Sequence, residues 1–293
     1  MKFRLLLTGL LLISISCDKI DTSKEIFNIT QSVEVTPWDP EYAKTVVQKI
    51  YIEEFTGHAC TYCPEGARIL KKLMDEDTTI IATAIHCSNL ANPGKPPFDK
   101  NFRTKMGDML FDDHKISGLP KAMINRIENG STGWGFDRDK WRSIIASMDR
   151  NNVRSGIELQ GKVDEIKQEI EAKVSVTIIK NIQNPVQLCL VLQQDSIISG
   201  QIDAGKEIVN YVHNHMLRAG FCGNYGIKLT SNGIVKEQNK YTAIFKLVYK
   251  NSFPYSNIPV VLKNCSIVAY LMDMKTHEIL QVERVHLQKI NQK

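Results

Sequence analysis

Two cysteines in the motif Cys60-Thr61-Tyr62-Cys63 constrain this chain more than any other feature, because of what flanks them. Before them, Lys49-Ile50-Tyr51-Ile52-Glu53-Glu54-Phe55 is an apolar-rich run of the kind that forms a buried strand. Thr56-Gly57-His58-Ala59 supplies a turn. After them, Pro64 opens a stretch in which Ala67, Ile69, Leu70, Leu73 and Met74 recur at helical spacing, with Lys71 and Lys72 turned outward. The pair is therefore expected where a buried strand ends and a helix begins. A helix N-terminus offers unpaired N–H groups and the positive end of the dipole, and both favour a thiolate at Cys60. Cys63 shares that helix face and can close a short disulfide. Cys60 is expected to be the exposed, attacking sulfur and Cys63 the more buried, resolving one. His58 can add positive character, although a solvated turn histidine is the commoner case.

Downstream, Thr78 to His86 reads as another buried strand, followed by a loop with Asn92, Pro93, Gly94, Pro96 and Pro97. Phe98 to Asp112 carries Phe102, Met106, Met109 and Leu110 at helical intervals. Lys121 to Arg126 predicts a strand, Gly130 to Gly135 a hairpin region, and Asp139 to Arg150 a last helix with Trp141, Ile144, Ile145 and Met148 on its apolar face. This order, β-α-β-α-β-(β)-α with the two cysteines after the first strand, resembles the thioredoxin fold. Gly118-Leu119-Pro120 looks like that fold's cis-proline step. The resemblance implies that Pro120 abuts the cysteine motif and leaves the preceding backbone free to pair with a substrate chain.

From Ser155 the periodicity changes to alternation, in Gly156–Gln160, Ile170–Ile179, Val186–Gln193, Ile227–Val235, Tyr241–Tyr249, Ser266–Met272 and Glu278–Leu287. Strands at that spacing predict an antiparallel, immunoglobulin-like β-sandwich. The expected fold class is thus an α/β thioredoxin-like domain (47–152) followed by an all-β sandwich domain (153–293), with Asn151 to Arg154 between them. Asn210 to Gly220 interrupts the alternation. His213 and His215 could bind a metal from one strand face, but no further ligands accompany them, so a structural or solvated role is expected and no metal or other cofactor is.

The N-terminus is an address. Lys2 and Arg4 precede an apolar run from Leu5 to Ile15, too short to span a bilayer, and small residues follow at Ser14-Ile15-Ser16. Cys17 after Ser16 resembles the lipobox of bacterial lipoproteins, with Ser14 where the usual Leu stands; the resemblance implies cleavage after residue 16 and a lipid on Cys17. Residues 17–46 read as a tether. Lys and Arg total 37 against 32 acids, an excess with no basic block, so nucleic acid is not an expected partner. The other cysteines, Cys87, Cys189, Cys222 and Cys265, show no chemically meaningful spacing. Cys87 is expected as a free thiol near the sheet edge that holds Cys60. Cys189 and Cys265 suit a core as small hydrophobes, and a cross-sheet disulfide between them stays open.

Glu53-Glu54-Phe55-Thr56-Gly57 with Cys60-Thr61-Tyr62-Cys63-Pro64, Tyr211 to Arg218, and Asn264 to Tyr270 with Glu278-Ile279-Leu280-Gln281 together resemble Bacteroidetes outer-membrane lipoproteins related to the 28-kDa outer-membrane protein. The resemblance implies a protein held at the outer membrane by lipid, on its periplasmic face or at the cell surface. Two functions follow. One is thiol–disulfide exchange with disulfide-bearing envelope proteins, using Cys60, Cys63 and Pro120; the other is non-enzymatic adhesion or binding of surface ligands, with the Cys60–Cys63 bond structural.

Overall fold

The structure, a computed structural model, describes residues 33–130, 133–221, 225–249 and 256–290. The leader with Cys17, and Cys222, lie outside these residues. In chain order the elements are β1 (Glu34–Pro37), α1 (Pro40–Thr45), β2 (Ile50–Thr56), α2 (Cys63–Glu76), β3 (Ile80–His86), α3 (Lys105–Asp113), β4 (Lys121–Ile124), β5 (Phe136–Asp137) and α4 (Trp141–Ser147). Then follow β6 (Ser155–Asp164), β7 (Glu169–Ile178), β8 (Val186–Gln194), β9 (Ile197–Asp203), β10 (Lys206–His213), β11 (Met216–Gly220) and β12 (Ile227–Lys228). The last are β13 (Asn239–Val248), β14 (Cys265–Asp273), β15 (Ile279–His286) and β16 (Gln288–Lys289). The architecture is mixed α/β with substantial sheet.

One large sheet runs β15-β14-β8-β11-β3-β2-β4-β5, with β12 added alongside β8. Strands from both halves of the chain meet in it where β11 lies parallel to β3, Met216 opposite Ala84. A second sheet, β1-β13-β7-β6-β16, contributes Val174, Val176, Ala243 and Phe245 to a core shared with Leu188, Leu190, Ile267 and Ala269 of the large sheet. At the other end, β2 is buried at all seven positions because both its faces are covered. Successive side chains alternate between faces. Ile50 and Ile52 join Leu70 and Leu73 of α2 and Trp141 of α4, while Tyr51 and Phe55 join Met106 and Leu110 of α3. Each such fully buried apolar side chain contributes about 1.5–3 kcal/mol.

Two helices are shorter than their apolar spacing predicts. The second starts at Lys105 rather than Phe98, where the Thr104 side chain accepts the Gly107 N–H at 3.0 Å and caps it; Phe102 is left in the preceding loop. The last is confined to Trp141–Ser147. The run Ile227–Val235 pairs only at Ile227 and Lys228, because Asn232 takes the Ile234 N–H and the Thr230 hydroxyl into a turn. No disulfide joins Cys189 to Cys265: both are buried, and the Cys265 thiol donates to the Val261 carbonyl at 3.4 Å. No helix among the described residues is long and apolar enough to cross a membrane.

Candidate functional site

The site begins at the C-terminal end of β2. Gly57 has room only for hydrogen, since a Cβ there would lie 2.7 Å from the Leu90 carbonyl oxygen. The chain then turns through His58 and Ala59, with the Cys60 N–H donating to the Gly57 carbonyl at 3.0 Å. Cys63 is the first residue of α2 and Cys60 stands in the turn before it. Their sulfurs are joined, with Cα atoms 5.4 Å apart. The Leu119–Pro120 peptide is cis. A Cβ on Gly66, one helical turn beyond Cys63, would fall 3.1 Å from the Pro120 ring and 3.0 Å from Glu54 Oε1. The proline and a buried carboxyl group therefore both press on the first turn of α2.

The expectation of an exposed Cys60 is overturned. Cys60 is 3% exposed and Cys63 2%. The cover is β9, which lies along the motif: the Ile202 N–H donates to the His58 carbonyl at 2.8 Å and the Ala204 N–H to the Thr61 carbonyl at 3.0 Å. Gln201 Nε2 reaches the carbonyls of Gly57 and Cys60, each at 3.2 Å. Arg68 of α2 pairs with Asp203 at 2.8 Å. No alternation singled out this segment, and its partners are distant in sequence.

Glu54 is the second residue that periodicity passed over. It is buried, its Oε1 has no hydrogen-bond partner among the described residues, and desolvation pushes its pKa up to about 8. The charged residue in the middle of an apolar run was the available signal. Its neighbour Glu53, on the opposite face, is satisfied differently: Arg126 clasps it at 2.6 and 2.7 Å and also donates to the Tyr270 hydroxyl at 2.9 Å.

Beside the motif lies a histidine cluster drawn from three segments. His86, at the end of β3, has its ring 6.1 Å from that of His58 and 5.4 Å from that of His213. Phe102 stacks on His86 at 4.5 Å and leans on His213 at 4.6 Å. All three histidines are buried, and burial holds each pKa below the ordinary value. His213 and His215 do not share a site: His215 lies past the end of β10 and pairs with Asp195 at 3.0 Å. No cluster of three or more potential metal ligands occurs among the described residues. Cys87 is a separate buried thiol, 3.9 Å from the Thr56 carbonyl oxygen, with its pKa raised by burial to about 12.

Residues 108–292 match the family described as outer membrane protein Omp28. Among solved structures, HBP35 of Porphyromonas gingivalis superposes with a TM-score of 0.63 at 15% identity, over 85% of this chain and 79% of its own. At that identity the likeness concerns the fold alone. A domain of the outer membrane lipoprotein Omp28 from Porphyromonas gingivalis aligns at 20% identity over 48% of this chain and 94% of its own, with a TM-score of 0.33, too low to carry a structural inference. No curated protein matches the chain significantly.

Proposed function

This chain belongs to the Omp28 family of outer membrane proteins, and we propose that within it the Cys60–Cys63 pair is a thiol–disulfide exchange centre. We read residues 47–152 as a thioredoxin-like unit, 153–293 as an immunoglobulin-like sandwich that shares its sheet, and Cys17 as the lipid-bearing first residue of the mature chain. The observation that carries the reading is the convergence at α2. A disulfide closes onto the helix N-terminus at the end of a buried parallel strand, with Pro120 and a protonatable carboxyl against the first turn of that helix.

The chemistry starts from the oxidised pair. A substrate thiolate attacks Cys60 Sγ, the Cys60–Cys63 bond breaks, and Cys63 leaves as a thiolate favoured by the helix N-terminus. Glu54, buried against Gly66 of the same helix and holding a proton up to about pH 8, sets no fixed negative charge beside that thiolate, which takes its proton from solvent. A second substrate thiolate then attacks the substrate sulfur of the mixed disulfide and releases Cys60. Two substrate thiols become a disulfide and the pair becomes two thiols; the reverse sequence reduces a substrate. Pro120 supports the helix turn against which the substrate would dock.

One observation favours a second reading, a structural staple in a surface-binding protein: both sulfurs are buried beneath β9. Turnover separates the two. Full-length mature protein is assayed for dithiothreitol-dependent reduction of insulin, beside Cys60→Ser. Exchange requires turnover that Cys60→Ser abolishes; equal, background rates in both proteins support the staple.

A further inference from the structure

The cover over the disulfide is built as a separate piece. Strands β9 and β10 form a two-stranded sheet of their own, joined to neither large sheet. Both ends of the hairpin pass through one neck, where the Ser196 N–H donates to Asn214 Oδ1 at 2.9 Å and the His215 N–H to Asp195 Oδ1 at 2.6 Å. Ser196 and His215 both take left-handed backbone conformations there, with φ of 60° and 57°. The inner side of β9 bonds the cysteine turn, while Ile198, Val209 and Val212 face outward and are about half exposed. Its apolar anchorage is small: Ile197, at the neck, packs with Ala84, Phe102, Met216 and Ile258, Gly200 lies against Pro97 and Phe98 with its N–H donating to the Pro97 carbonyl at 2.9 Å, and His213 packs on His86 and Phe102.

We propose that the β9–β10 hairpin is an acid-releasable lid on the Cys60–Cys63 disulfide, hinged at the neck and sealed by His213 against His86 and Phe102. Uncovering stands on the geometry alone; that the uncovered sulfurs then exchange rests on the function proposed above.

The groups that meet at the seal decide the direction. From β10 come His213 and, beside it at 4.9 Å, the Tyr211 ring; from β3 comes His86; from the cysteine turn comes His58, whose Nε2 lies 2.9 Å from the Asn92 carbonyl oxygen. Glu54 on β2 and the Arg68–Asp203 pair flank Tyr211, and Arg103 is held by Asp108 in the loop and helix behind Phe102. No carboxylate pairs with His58, His86 or His213, and His86 Nδ1, His86 Nε2 and His213 Nε2 have no hydrogen-bond partner among the described residues. Backbone bonds of His213 to Gly200 and of His58 to Asn92 offset burial only in part, so a proton added to any of the three brings a positive charge without a carboxylate partner into an apolar contact, beside two other histidines. Opening hydrates the rings and relieves this. The three histidines thus favour closure above the ordinary histidine value, near 6.5, and opening below it; Glu54, held against Gly66 and Pro120 rather than on the hairpin, opposes them only as far as opening hydrates it. With His213 held at about 4 when closed, that residue alone raises the open fraction about 20-fold between pH 7 and pH 5.

The test measures how fast a water-soluble phosphine reduces the disulfide in the full mature chain, normalised at each pH to the same chain unfolded in urea. The normalised rate is expected to rise, by about 20-fold from His213, between pH 7 and pH 5, and His213→Phe, which keeps a ring in the seal but cannot take a proton, is expected to suppress most of that rise. A native rate that is flat between the two pH values overturns the lid. Should His213→Phe fail to fold, amide exchange in the unaltered chain decides: Ile202 and Ala204 must lose protection at pH 5 while Ile52 keeps it, and equal protection of all three overturns the lid. Insulin turnover with a flat reduction rate removes the lid and leaves exchange standing. Acid-enhanced reduction without turnover at either pH does the opposite.

Discussion

The backbone N–H of Ala204 donates to the carbonyl of Thr61 at 3.0 Å, so a residue at the tip of a late hairpin is bonded to the dipeptide between the two cysteines. That bond and its companion from Ile202 to His58 explain why a cysteine pair at a helix start is nevertheless buried. They make access to the sulfurs a property of the C-terminal half of the chain.

Glu54 gives the fold a pH dependence of its own. Its pKa is raised in the folded state, from 4.5 to about 8, so the folded chain holds a proton that the unfolded chain releases. Its contribution is fully present below about pH 4.5 and is lost as the pH rises towards 8. Relative to Glu54→Gln, the unaltered chain is expected to lose about 2–3 kcal/mol between pH 5 and pH 7. Urea unfolding of both proteins at the two pH values checks this, and the difference between them cancels the opposite contribution of the histidines.

Gly66→Ala places a methyl 3.1 Å from the Pro120 ring and 3.0 Å from Glu54 Oε1, between groups that are all buried. The expected cost is about 1–3 kcal/mol, as for other overpacked sites, despite the better helix propensity of alanine. Chemical denaturation measures it.

Arg126 is fully buried and binds Glu53 of β2 and Tyr270 of β14. Arg126→Met leaves a buried carboxylate without its partner and is expected to cost about 3–5 kcal/mol. Adding Glu53→Gln should recover part of that loss, because the uncompensated charge is then gone. A double-mutant cycle by urea unfolding reads the coupling; additive effects would mean that the pair does not act as a unit.

Cys87 and Cys265 are buried thiols whose pKa values burial raises to about 12. Neither should be alkylated by iodoacetamide at pH 8 within the time that unfolded chain is fully labelled, and peptide mass spectrometry identifies the sites.

Much of this architecture follows from local pattern. The run Lys49–Phe55 has a strand's apolar content because both faces of β2 are covered, and Leu70 and Leu73 keep helical spacing because α2 has one face on that strand. The cysteines at the junction between them, and a proline ahead of β4, are features of sequence order. What local pattern does not carry is the company that distant segments keep. In strand β10 only His213 is buried, so it shows none of the alternation that marks β7 or β13. Its hairpin is fixed by bonds to loops more than a hundred residues earlier. The histidine cluster draws single residues from the cysteine turn, from β3 and from β10, and nothing in sequence order links His58 and His213 to each other or to His86. The joining of both halves in one sheet depends on Met216 lying opposite Ala84, two apolar residues that any core could hold.

The lipid anchor rests on Cys17, outside the described residues. Growth with a palmitate analogue should label the protein, and Cys17→Ala should abolish the label; equal labelling of both would remove the anchor.

The redox equilibrium of the Cys60–Cys63 pair bears on everything above. The full mature chain is equilibrated in glutathione or dithiothreitol buffers of graded potential, trapped by alkylation in acid urea, and weighed. An exchange centre is expected to titrate reversibly within the span of thiol–disulfide exchange proteins, about −270 to −120 mV. A pair that stays oxidised until below about −300 mV would be a structural bond, and the exchange function would fall.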